Sequence, residues 1–330
     1  MNTLTDAFRG RKILITGGLG FIGSNLARRL DAIGAQVSLV DSLIPEYGGN
    51  RFNINGVEKN VRVNISDVRD EHSMRSLVQE QDYLFNLAGQ TSHLDSMQDP
   101  HTDLEINCRA QLSILETCRK HNPNIKIIFA STRQLYGRPD YLPVDEKHLL
   151  RLVDVNGINK MAGEWYHILY NNVYGLRACA LRLTNTYGPR MRVKDARQTF
   201  LGIWIRLVVE NKSFEVWEGA QLRDFTYVDD AVEAMLVAAA DESSNGQVFN
   251  LGGERAINLH DLAELLVKIN GGGQFVSRSF PPDRKQIDIG DYYADFSSIK
   301  SALGWQPQVK LEKGLAKTLA FYREHLNHYL

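Results

Sequence analysis

Three glycines carry the first readable chemistry of this chain. They recur as Gly17, Gly20 and Gly23 in the run Thr16-Gly17-Gly18-Leu19-Gly20-Phe21-Ile22-Gly23, directly after the apolar residues Ile13 to Ile15. Gly17 lets the chain turn sharply out of a strand, Gly20 leaves room for a pyrophosphate against the backbone, and Gly23 lets a helix pack close to a sheet. The free N–H groups where that helix starts, at Phe21, Ile22 and Gly23, then face the ligand's negative charge. Glycine-rich turns are common; the context makes this one specific. A second β-like run, Gln36 to Val40, ends in Asp41, about 20 residues on, where a dinucleotide's ribose is read. A carboxylate there accepts from both adenosine ribose hydroxyls and repels a 2′-phosphate, which selects NAD over NADP. Arg28 and Arg29 could argue for the phosphorylated cofactor, but they lie past the first turn of the helix, where arginines commonly form a solvated face.

The elements that must position these residues alternate regularly. Val61 to Ile65, Tyr83 to Leu87, Ile125 to Ala130 and Arg177 to Leu183 read as further strands. Helical signal runs from Phe21 to Ile33, Asp70 to Gln79, Asp103 to His121 and Asn156 to Tyr170. Such alternation predicts an α/β fold, a parallel sheet with helices on both faces, doubly wound by right-handed crossovers. Ala88-Gly89-Gln90 after Leu87 are small enough, at their start, for a cofactor to approach the end of a central strand. Asp67, with Val68 beside it, stands where a carboxylate could accept from the adenine amino group; it could equally cap the helix that follows. After residue 185 the pattern changes to short strands, polar turns and helices, among them Phe200 to Val209, Leu259 to Ile269 and Leu311 to His325. Two joined units, 1–185 and 186–330, are expected, with elements that interleave.

Composition narrows the classes of function. The 330 residues are 43% hydrophobic and 23% charged with a net charge of −1, values ordinary for a globular protein and unsuited to a nucleic-acid or anionic-membrane partner. Cys108, Cys118 and Cys179 show no metal-binding spacing and their odd number argues against a disulfide framework. With no run of signal-peptide or membrane-spanning character, a cytoplasmic protein without a metal is expected.

Jointly, T-G-G-L-G-F-I-G at 16 to 23, Asp41, N-L-A-G-Q at 86 to 90, E-I-N at 105 to 107, S-T-R-Q-L-Y-G at 131 to 137, L-R-L-T-N-T-Y-G-P-R at 181 to 190 and R-D-F-T-Y-V-D-D at 223 to 230 resemble the extended short-chain dehydrogenase/reductase family, in particular its NAD-dependent nucleotide-sugar epimerases and dehydratases. The resemblance covers almost the whole chain. It implies a bound NAD that takes hydride from a sugar carbon to give a keto intermediate and returns it. It implies that Thr132 hydrogen-bonds the reacting hydroxyl and that Lys160 holds the nicotinamide ribose. Leu87, Ala88 and Gln90 join the cofactor set. Thr91, Ser92, His93 and Arg133 fall on the substrate side, Asn185 contacts the diphosphate, and Arg223 and Arg284, or Lys285, supply phosphate-binding cations. The nucleotide-diphosphate sugar is the implied partner, and the helices from Asp103 and Asn156 are those that pair family members into homodimers through a four-helix bundle. Leu112, Trp165, Ile168 and Leu169 could serve that interface or the core.

One position departs from the family's pattern. Four residues before Lys160 a tyrosine acid/base is expected, and the sequence reads Asn156-Gly157-Ile158-Asn159-Lys160. An amide exchanges no proton near neutral pH, and a positioned general base contributes about 10²- to 10⁴-fold in rate; Asn156 can still orient a substrate group, since it offers donor and acceptor. Lys160, desolvated beside a positive nicotinamide, is the first candidate to replace the base, and His93 the second; Tyr136 matches the family's structural tyrosine. The 4,6-dehydratases carry an Asp-Glu pair directly after the threonine, and Arg133-Gln134 cannot do that work. An epimerase is therefore favoured over a dehydratase or 4-keto reductase, with a catalytically impaired binding protein, or an active-site mutant, as the reading from another class.

Overall fold

A computed structural model describes residues 2–281 and 288–330. The apolar runs become strands because alternate residues leave on opposite faces of the sheet and both faces are covered. In β1 (Lys12–Thr16), Ile13 and Ile15 enter one hydrophobic cluster and Leu14 enters the other. Helix α1 (Phe21–Ile33) follows, then β2 (Gln36–Asp41), β3 (Arg62–Ile65), α2 (Glu71–Val78) and β4 (Tyr83–Asn86). Next come α3 (His93–Gln98), α4 (Pro100–Leu104), a π-helical turn over Glu105–Arg109, and α5 (Ala110–His121). Strand β5 (Lys126–Thr132), the long helix α6 (Val155–Tyr174) and β6 (Ala178–Leu183) complete the first half. The expected Asp103-to-His121 helix is thus one rod that begins earlier and is locally widened by the π turn.

The seven strands of the main sheet are all parallel, in the order β7-β6-β5-β4-β1-β2-β3, with β7 being Val248–Asn250. The order reverses between β1 and β4, and a crevice opens beyond the carboxyl ends of those two strands, the place where doubly wound sheets bind ligands. Strand β7 returns from the later part of the chain to pair with β6, its Phe249 opposite Leu181. The rest of that part forms a second lobe from helices Phe200–Val209, Leu259–Asn270 and Leu311–His325 and three two-stranded pairs. One of these sets Phe225–Tyr227 parallel to Asn185–Tyr187. A single hydrophobic cluster runs from Leu26 of α1 through Tyr187 to Leu201, Leu262 and Leu315 of the second lobe, so the two lobes share a core. Among the described residues, no helix is long and apolar enough to cross a membrane.

Behind the sheet's carboxyl edge, a buried network locks β5, α6 and β6. Ser131 donates to Glu164 (2.6 Å), Arg182 grips the same carboxylate (2.5 and 3.0 Å), and Arg182 also donates to the Tyr136 hydroxyl (2.6 Å), which donates to Asn250 of β7 (2.7 Å). Tyr136 therefore works as a structural cross-link.

Candidate active site

The cofactor end of the crevice is built by the glycine turn. Gly17 has a positive φ of 66° and lies so close to the next strand's end that a Cβ would sit 3.1 Å from the Ala88 backbone; at Gly23 a Cβ would stand 2.3 Å from the Gly17 carbonyl. Only glycine fits either place. Thr16 ties the two strand ends together by donating to Asn86 (2.9 Å) and accepting from the Leu87 and Ala88 N–H groups (3.0 and 3.1 Å). The crevice so formed is lined by Gly17, Gly20, Phe21, Ile22, Gly23, Asp41, Asp67, Val68, Leu87 and Ala88. Asp41 accepts from the Leu19 and Leu43 N–H groups (3.0 and 2.9 Å), which hold the carboxylate at the edge of the crevice. Burial pushes its pKa up, and those N–H groups pull it back in part. Asp67 does not cap the helix: Asp70 does, accepting from His72 N–H (3.0 Å). Asp67 instead holds Arg69 through two side-chain hydrogen bonds of 2.9 and 2.6 Å, the first cause of its lowered pKa. A glycine cradle closed to any Cβ, a helix N-terminus beyond it and an acid at the end of β2 fit a dinucleotide such as NAD.

At the middle of the same crevice stand Thr132, Arg133, Asn156 and Lys160. Thr132 ends β5, and its hydroxyl accepts from Gln134 N–H (3.2 Å), so it caps a short 3₁₀ turn while its own proton remains available for a ligand. Lys160 is buried on α6; its ammonium donates to the Ala130 carbonyl (3.3 Å) and lies 5.2 Å over the Phe129 ring. Burial pushes its pKa down to about 8, against the opposing charge of Asp103. It is not a solvated helix lysine.

Asn156 is 2% exposed and spends its amide hydrogens on the protein: Nδ2 donates to the Gln90 carbonyl (2.9 Å) and to Asp103 Oδ2 (3.0 Å), with the Gln90 side-chain oxygen at 3.3 Å. Of the donor and acceptor expected of it, only the acceptor Oδ1 is left. His93 also lines the crevice and places Nδ1 2.9 Å from Asp154 Oδ2, off the line of a hydrogen bond. Burial would raise the pKa of Asp154, and the imidazole contact and the Gly157 N–H hold it below the usual value.

On the substrate side, Thr91, Arg133 and Asn185 line the crevice. Arg133 reaches Asn185 Oδ1 (3.3 Å) and stacks 5.0 Å over Tyr292, while its Nη1 is closed from solvent without a partner. Asn185 is steadied by donating to the Asp224 carbonyl (3.0 Å). Gln90, Ser92 and Arg223 sit behind the lining. Gln90 donates to the Ser92 carbonyl (2.9 Å), and Ser92 caps α3 by accepting from Asp95 N–H (3.1 Å). Arg223 pairs with Asp288 (3.3 Å) and hydrogen-bonds the Gly290 carbonyl. Arg284 and Lys285 lie outside the described residues.

Sequence reasoning passed over Asp103, which touches three of the asparagines around Lys160, and over Tyr47, Ser66, Gln198 and Thr199, which close the crevice from loops. Loop residues of this kind carry no periodicity to find them by. Helix α6 leaves Trp165 and Leu169 exposed, at 56% and 49%, whereas Ile168 is buried.

The chain is similar to known proteins over almost its whole length. The chain is 30% identical over 328 residues to the UDP-N-acetyl-alpha-D-glucosaminuronate decarboxylase of Bacillus cytotoxicus, covering 95% of this chain and 98% of that one. It is 29% identical over 331 residues to the CDP-paratose 2-epimerase of Salmonella typhi, covering 93% and 97%. The crystal structure of the UDP-glucose 4-epimerase of Thermotoga maritima with UDP-glucose superposes with a TM-score of 0.87 at 31% identity, over 96% of this chain and 99% of that one. The model of the NAD dependent epimerase/dehydratase family matches residues 13–252, and the chain belongs to that family.

Proposed function

We propose that the protein is a nucleotide-sugar epimerase that works through a transient keto-sugar, with Lys160 taking the place of the missing phenol as acid/base. The observation that carries this reading is Lys160 itself: desolvated, facing the crevice beside Thr132, and bound to one weak acceptor, the Ala130 carbonyl. NAD, when bound, supplies a hydride acceptor that later returns the hydride to the sugar. The chain's own residues do the rest. Thr132 steers the reacting hydroxyl, Asn156 Oδ1 accepts from a neighbouring sugar hydroxyl, and neutral Lys160 takes the hydroxyl proton as the carbonyl forms. The resulting ammonium gives that proton back when the carbonyl is reduced. Asn185 and Arg133 grip the diphosphate-sugar end. Elimination of water would need a second acid/base pair directly after Thr132, which Arg133-Gln134 does not supply; isomerisation needs none.

The same reading makes the protein a homodimer. Trp165, Leu169 and Val173 stand at successive turns of α6, each about half exposed or more, an apolar stripe that a second copy of the helix would cover.

The experiment is to incubate the protein with UDP-, CDP-, GDP- and dTDP-sugars in deuterated water and follow each by NMR. One sugar is expected to convert, and Lys160→Met to lose about 10²-fold or more. Full activity in Lys160→Met would reject the lysine base. No conversion of any sugar, with binding retained, would reject the epimerase.

A further inference from the structure

We propose that Asp103 is a positioning residue of this site: its buried carboxylate fixes Asn156 with the carbonyl oxygen toward the crevice and holds a negative charge against the face of α6 that carries Lys160. The proposal rests on the reading of Lys160 given above.

Asp103 is fully buried in α4 and accepts from three side-chain amides: Asn107 (3.0 Å), Asn156 (3.0 Å) and Asn159 (2.8 Å). The Gln90 carbonyl accepts from two of the same groups, Asn107 and Asn156, at 2.9 Å each. Two amides thus straddle one pair of acceptors. A buried carboxylate is costly unless its oxygens are hydrogen-bonded, and a neutral residue here would spare that cost. What a carboxylate adds is direction. A carboxylate and a backbone carbonyl can only accept, so the Asn156 amide cannot flip between them, and its oxygen is turned to the side that lines the crevice. An amide at position 103 could donate or accept, and the flip would be allowed.

The same carboxylate lies against the face of α6 that carries Lys160: Asn156, bonded to Asp103, stands four residues before that lysine and shares its face, and Asn159, also bonded to Asp103, is the residue just before it. From α4, Asp103 favours the ammonium; from β5 come the Ala130 carbonyl and the Phe129 ring; from α6 itself comes His167. His167 is buried with its pKa pushed down to about 4, so it is neutral and leaves Asp103 as the charged group that opposes Lys160's desolvation.

The test uses the full chain with NAD and protein labelled at the lysine ε-carbon, Lys160 being identified by the resonance that Lys160→Arg removes. Asp103→Asn is expected to lower the Lys160 titration midpoint by about one unit or more, the range for losing an opposite charge nearby. Asp103→Glu, which keeps the charge, is expected to hold that midpoint near wild type. Asn156→Ala is expected to leave the midpoint in place and cut kcat about tenfold or more. On the sugar that converts, the acid limb of the kcat/KM profile of Asp103→Asn should move to lower pH with the resonance. An unmoved midpoint in Asp103→Asn overturns the proposal, as does wild-type kcat in Asn156→Ala. If Asp103→Asn does not fold, a midpoint in Asp103→Glu displaced by a unit or more overturns it. The lysine resonance needs no substrate, so failure of the epimerase reading would show as a lack of turnover with the midpoints still behaving as expected.

Discussion

Asn156→Tyr restores the family's usual Tyr-x-x-x-Lys spacing, and the structure predicts that it damages the protein. The residue is 2% exposed; its backbone N–H donates to Ser96 Oγ (3.2 Å) and its amide to Asp103 and Gln90. Tyrosine removes both amide donors. The bond to the buried carboxylate is worth about 1.5–3 kcal/mol and the bond to the backbone carbonyl about 0.5–1.5 kcal/mol. Fitting a ring where an amide packed adds about 1–3 kcal/mol. The low end of these values sums to about 3 kcal/mol, which for a chain of this size lowers Tm by about 4 °C or more. The assay is thermal unfolding with saturating NAD beside turnover in deuterated water. The expected result is a lower Tm with turnover no higher than wild type. An unchanged Tm together with raised turnover would refute the reasoning and mark Asn156 as damage to a tyrosine-built site.

Three further outcomes are expected. Gly23→Ala sets a methyl 2.3 Å from the Gly17 carbonyl; the turn must shift, and the purified protein should lose NAD, read from its absorbance ratio and from calorimetric titration. Glu164→Gln leaves Arg182 as an uncompensated buried cation, a change that costs about 3–5 kcal/mol and is measured by urea unfolding. Burial holds Lys160 at about 8 instead of 10.5, so between those values the unfolded chain binds its proton more readily than the folded one. Folding stability attributable to this group therefore rises with pH across that window, and the rise should be absent from the difference curve once Lys160→Met replaces it.

Much of the fold is legible because its causes are local. Phe21–Ile33, Phe200–Val209 and Leu311–His325 fall where apolar periodicity places them, and β1, β5 and β6 are apolar throughout their buried middles because helices cover both faces. What failed to show is short or non-local. Helix α3 has six residues, too few for a period, and is held by the Ser92 cap. Val248–Asn250 reads as a strand, but nothing in its spacing says that it will cross back and pair with β6. The small strands of the second lobe owe their existence to partners such as Arg223 opposite Ile257, not to propensity.

The site divides the same way. The glycines and Asp41 are legible because a turn, a helix start and a strand end lie within one βαβ unit. Asn156 is legible only as an absence, since read along the chain it is a tyrosine that is not there. Its meaning depends on Asp103, which lies 53 residues before it in a helix with no catalytic signature. Once the fold brings them to 3.0 Å, the asparagine is the residue the place requires. A tyrosine ring carries no donor where the amide nitrogen sits, and an aspartate would set two carboxylates against each other at that distance. A glutamine would have to fold back on itself to reach both acceptors. The residue that fits has no proton to exchange, so the proposed reading gives acid/base work in this crevice to Lys160, the neighbour that burial has brought toward neutrality.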